Sequence, residues 1–86
     1  MPTIAMFYGI AIRMYFDEHP QPHFHAYSGG QVAAISIETL EVIEGRLPRR
    51  ALTLVLEWAS EHRDELRKNW KIAEAHGTLR KIEPLS

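Results

Sequence analysis

Apolar and polar positions alternate one by one in two stretches of the first half of this chain and recur every three or four residues through the second. From Ile10 to Asp17 the residues Ile10, Ile12, Met14 and Phe16 fall on one side and Ala11, Arg13, Tyr15 and Asp17 on the other, a period of two that predicts a half-buried strand. A bulge is expected at Gly9, and the apolar stretch before it is also expected to be extended. The segment DEHPQP carries two prolines, which cannot donate to a sheet ladder, and predicts a loop. Alternation resumes at His23, with Phe24 and Ala26 on one face and His23, His25 and Tyr27 on the other, until Ser28, Gly29 and Gly30 turn the chain into a hairpin. Gln31 to Ile37 is rich in β-branched residues, and Glu41 to Glu44 is expected to add a short strand ending at Gly45.

Pro48 suits the first turn of a helix, and Ala51, Val55, Trp58, Ala59, His62, Leu66, Trp70 and Ala73 then recur at helical spacing as far as Gly77. One helix over 48–76 is predicted, about 43 Å long at 1.5 Å per residue, more than strands of five to seven residues cover. Its far end, around Trp70, is therefore expected to project toward a partner. Leu79 to Ile82, stopped by Pro84, is expected to return as an edge strand over 79–83. The expected fold is α+β, a small antiparallel sheet of three to five strands, formed as a hairpin or meander over 3–44 and packed on one long helix. The chain is expected to form a single domain over 1–86, since no repeat or linker interrupts it.

Composition removes several classes of function. With no cysteine in its 86 residues, the chain has no disulfide framework, thiolate metal site or thiol nucleophile. The apolar amino terminus lacks a basic leader and is interrupted by Arg13, so a signal peptide is not expected, nor is a membrane span of about 20 apolar residues. A cytoplasmic location is expected. The formal net charge of -1 supplies none of the field that commonly accompanies nucleic-acid binders. A domain this small buries only about 60% of its unfolded surface, so a partner, a second copy included, matters to it.

The concentrated chemistry lies around three histidines. Residues two apart on a strand point the same way, so His23 and His25 can aim their rings at one point, with His19 supplied by the loop. Three imidazoles with an open fourth position suit zinc or a similar divalent ion, with Asp17 or Glu18 as a further ligand or support. The plainer alternative is that histidine is tolerated on a half-exposed strand face. If the first two strands pair, Arg13 and Tyr15 join His23 and His25, which makes a catalytic set for hydrolysis, RNA cleavage included: an imidazole to move protons, an arginine to hold a phosphate and a tyrosine to donate or stack. Trp70, with Arg49 and Arg50 at the helix start, is the candidate partner-binding set, because an exposed aromatic buries much area at little entropic cost, with a core position as the leading alternative for Trp70. Arg46 beside them, and Arg80 with Lys81, are read as solvated positions. Trp58 is expected in the core, His62 on the apolar helix stripe, and His76 at the helix C-terminus.

Taken together, MPTI with FYGIAIRMYFDEHPQPHFHAY, then EGRLPRRALTLVLEWASEHRDELRKNW and KIEPL, resembles the bacterial domain of unknown function 4160 family over nearly the whole chain. The most specific segments are HPQPHFHAY, close to that family's H-x-P-P-H-F-H pattern, and the helix from LPRRAL through EWASEH to NW. The chain departs at Gln21, which separates the prolines, and at Leu40, where members often carry glycine in a turn. The resemblance implies a small prokaryotic protein encoded beside a member of another uncharacterised family, numbered 2442, in a pair of toxin–antitoxin type. It implies no established catalytic residues. The leading expectation is a protein-binding, toxin-like component of such a two-gene module. A hydrolase, ribonuclease or metal-binding protein using His19, His23 and His25 is one alternative, and a structural adaptor is another.

Overall fold

A computed structural model describes residues 2–16 and 21–86. Five strands run in chain order, β1 (Thr3–Phe7), β2 (Ile10–Arg13), β3 (His23–Ser28), β4 (Gln31–Ser36) and β5 (Val42–Gly45), and two helices follow, α1 (Arg49–Glu61) and α2 (Arg63–Glu74). The strands form one antiparallel meander in the order β1-β2-β3-β4-β5. The α+β class and the antiparallel sheet agree with the sequence pattern.

Turn chemistry sets the register. Tyr8 and Gly9 join β1 to β2 with positive φ at both positions, 50° and 76°, as the primed two-residue hairpin turns require. Gly9 is thus a turn residue and not a bulge; the irregularity in this pair lies between Thr3 and Ala5. Gly29 and Gly30 join β3 to β4, so that Ser28 faces Gln31 and Tyr27 faces Val32. The first face of the sheet carries the row Ala5–Ile12–Ala26–Ala33, and with Phe7, Ile10, Phe24 and Ile35 it meets Ala51, Val55, Trp58 and Ala59 of α1 and Leu66 of α2 in one core. Trp58 is its centre, with ring centroids 5.4 Å from Phe7 and 6.0 Å from Phe24.

Two expectations need correction. The single helix over 48–76 is two helices, parted at His62, which leaves the helical region at φ -125° and ψ 24°. No proline or glycine forces the break. A straight rod of ~43 Å would overrun a molecule whose longest extent is 33 Å, and the bend lets Trp58 and Trp70 both reach the core. Local chemistry supports a new N-terminus there: His62 Nδ1 lies 2.6 Å from Glu65 Oε1, and Asp64 and Glu65 occupy the first turn of α2, where acidic groups suit the helix dipole. The segment 79–83 is not a strand. Its polar groups are shared among three elements: the Asn69 amide brackets Arg80 through two 2.9 Å bonds, Ile82 N–H donates to the Ile4 carbonyl, and Trp58 Nε1 donates to the Glu83 carbonyl. That division leaves no ladder, and it seats Ile82 at 4% exposure against the core.

Candidate functional site: the helix-free face of the sheet

Because cross-strand partners in a sheet share a face, the register assigns every side chain that lies opposite the helices. Two parallel rows result. One is Met6–Ala11–Tyr27–Val32, apolar and aromatic across β1 to β4. The other is Thr3–Arg13–His25–Ala34–Glu44, across all five strands. Met6, on the edge strand β1, is 63% exposed, and Val32, on β4, is 41% exposed.

Arg13 is fixed on this surface. Its Nε donates to Thr3 Oγ1 at 3.3 Å, and its guanidinium carbon stands 4.8 Å from the centroid of Tyr27. Among the described residues no carboxylate pairs with it, so its terminal nitrogens are aimed and available for a planar, bidentate acceptor. Tyr15 stacks on His25, with ring planes 10° apart and centroids 4.8 Å apart, and Tyr15 Oη lies 3.4 Å from His25 Nε2. Tyr27 lies on the other side of the same imidazole, 6.5 Å between centroids. Arg13, Tyr15 and His25 of the expected catalytic set therefore meet, as pairing of the Ile10 strand with the His23 strand implied.

His23 departs from this pattern. By strand parity it belongs with His25, yet it is 2% exposed, with its ring 5.2 Å from that of Trp70. Its Nδ1 lies 2.8 Å from the Gln21 carbonyl, which can only accept, so this nitrogen carries the proton. The His23 and His25 ring centroids are 5.1 Å apart. His19, Asp17 and Glu18 lie outside the described residues, and among the described residues no group of three His, Cys, Asp or Glu side chains is placed to hold a metal.

The expected partner-binding residues separate. Trp70 does not project: it is 6% exposed and packs against Phe16 and His23, because the bend at His62 folds α2 back onto the sheet. Arg49 and Arg50 are exposed on the first turn of α1, and Arg50 lines a shallow cavity with Tyr8 and Leu54. Neither belongs to the cross-strand rows that carry Arg13 and Tyr27. Met6, Val32 and Glu44 are the face residues that the sequence reading missed; the two-residue turn at Gly29 and Gly30 already implied that Val32 opposes Tyr27.

Elsewhere on the surface, Arg67 bridges Glu38 and Asp64, and its hydrogen bonds to Glu38 hold that carboxyl below its ordinary value of 4.5 while raising the guanidinium. Among the described residues no helix is long and apolar enough to cross a membrane.

Comparison with curated proteins and comparison with solved structures each return no match. A family model described as a domain of unknown function (DUF4160) matches residues 9–71, the span from the first hairpin turn to the last turn of α2 that carries β2 to β5 and both helices. The chain belongs to the DUF4160 family.

Proposed function

We propose that this chain is a protein-binding domain, the toxin-like component of a two-gene module, and that it recognises its protein partner through the helix-free face of the sheet. The observation that carries the reading is the pairing of two rows: the apolar row Met6–Ala11–Tyr27–Val32 lies beside a row that presents Arg13 without a carboxylate partner among the described residues. Tyrosine, methionine and arginine are the side chains that protein interfaces enrich. Magnitude decides against RNA as the occupant. Each phosphate neutralised by a cation releases about 0.7 counterion on a single strand, and this face offers one arginine, with Glu44 at the other end of its row. A net charge of -1 adds no attraction at longer range.

The test is co-expression with the product of the adjacent gene, with the wild type and with a Met6→Asp, Val32→Asp double variant. Met6 is 63% exposed and Val32 41%, and neither belongs to the core, so the variant is expected to stay folded and to lose the complex. A complex that survives in a folded double variant overturns the assignment of this face, and a wild type that forms no complex with that product overturns the partner.

A further inference from the structure

The helix-free face is complementary to itself. Across the sheet its polar row places Arg13 on β2, His25 on β3, Ala34 on β4 and Glu44 on β5, and the neighbouring row places Tyr27 on β3 and Val32 on β4. A cation and an anion thus sit three strands apart, about 14 Å at 4.8 Å per strand, with a large ring and a small side chain side by side between them. Neither Arg13 nor Glu44 has an ion pair among the described residues.

We infer that, in the absence of that partner, the occupant of this face is a second copy of the same chain, packed sheet against sheet about a two-fold axis that runs along the strands between β3 and β4. The inference rests on reading the face as a protein-binding surface. Such an axis exchanges β2 with β5 and β3 with β4. It sets Arg13 of each copy against Glu44 of the other, His25 against Ala34, and Tyr27 against Val32, and every pair occurs twice because the interface is isologous. Charge meets opposite charge, and each large ring meets a small or branched side chain, which is how facing sheets interdigitate at a spacing of about 10 Å.

The position of the axis is not arbitrary. Moved onto β3, it would set Arg13 against Ala34 and Glu44 against Thr3, leaving all four charges without partners. Moved between β2 and β3, it would set Arg13 against His25 and carry Glu44 beyond the sheet. Only the axis between β3 and β4 matches both charges and both rings. The overlap of four strands by about five residues is about 19 Å by about 17 Å, roughly 320 Å² of facing sheet per copy and less than the ~800 Å² per partner of a standard interface, so the dimer is weak and forms only at high concentration.

Sedimentation velocity on the full chain, across a concentration series, tests this with Arg13→Glu, Glu44→Arg and their equimolar mixture. Each reversal replaces two attractions with two repulsions, so each variant alone is expected to be monomeric, its dissociation constant raised at least about tenfold. Mixed, the two variants restore opposite charges at both contacts, and the dimer is expected to return. That rescue also shows that neither change has merely unfolded the chain. The inference is overturned by a wild type that stays monomeric up to about 1 mM, by single variants that dimerise like the wild type, or by a mixture that stays monomeric. A monomeric wild type that still binds the adjacent gene product, and loses it in the Met6→Asp, Val32→Asp variant, removes the second copy and leaves the protein-binding reading standing.

Discussion

Gly45 closes β5 in a position that only glycine fits, and replacing it with alanine separates two costs that are usually confounded. Its φ is 74°, in the left-handed region, and a β-carbon built there would press into the Val32 carbonyl oxygen and stand 3.3 Å from Ala33 Cα. Both obstacles are backbone of β4, so no rotamer change relieves them. The same Val32 oxygen accepts the Arg46 N–H at 3.2 Å. For Gly45→Ala the left-handed backbone costs about 1–2 kcal/mol, and displacing β5 forfeits at least one ladder bond worth about 1 kcal/mol with further loss from strained packing. A total of at least about 3 kcal/mol is expected.

Gly9 is the control, because its φ is 76° but nothing lies within 4 Å of an added β-carbon. Gly9→Ala is expected to cost only the backbone component, about 1–2 kcal/mol. Urea unfolding of both variants, read at constant m, measures the difference. At about 0.05–0.15 kcal/mol per residue, this chain of 86 residues holds about 4–13 kcal/mol in all, so the Gly45 variant is expected to lose a large part of its stability. Equal losses at the two glycines would refute the claim that close approach to β4, and not φ alone, requires glycine at position 45. Gly45→Ala would also misplace Glu44, the acidic end of the face.

Two further outcomes are expected. Asn69→Ala removes both bonds to the Arg80 backbone, a loss of about 1–3 kcal/mol; hydrogen exchange at Ile82 should quicken with it, since that amide depends on the tail staying seated. The Glu38–Arg67 contact gives a pH dependence of defined sign: the folded carboxyl titrates below its ordinary value of 4.5, so its stabilisation is present above that value and disappears as pH falls through the lowered one. Comparison of wild type with Glu38→Gln between pH 7 and pH 3 reads it. The two stability curves should converge toward the acid end, and high salt should shrink the gap because both groups are exposed.

Much of the fold was legible where local chemistry and long-range packing agree. The alternation through Ile10–Arg13 and His23–Ser28, and the Gly29–Gly30 turn, mark strands and hairpin without reference to the rest of the chain. The break at His62 was not legible as a break, because the apolar stripe from Ala51 to Ala73 keeps helical spacing across it and no proline or glycine interrupts it. What bends the chain is the size of the sheet, a property of the whole molecule. Trp70 stood open between core and interface for the same reason: an overlong straight helix would expose it, whereas a bent one buries it beside His23. Leu40 takes the left-handed conformation, with φ 60°, and its N–H bond to the Ser36 carbonyl keeps the turn closed despite the side chain.

The candidate site divides along the same line. His25, Tyr15 and Arg13 were legible as a cluster because strand parity and one hairpin suffice to bring them together. Parity failed for His23, since Trp70 closes over that end of β3 and converts a face residue into a buried one. Met6, Val32 and Glu44 escaped notice because their chemistry is ordinary taken singly; each gains meaning from its neighbour in a cross-strand row, and a row exists only once four pairings are in register. A shift of one residue in the β4–β5 pairing would turn Glu44 from Arg13's face toward the core face. The acidic end of the polar row therefore depends on the irregularity between Ala34 and Ile35 that sets β5, and on the glycine at position 45 that lets β5 lie so close to β4.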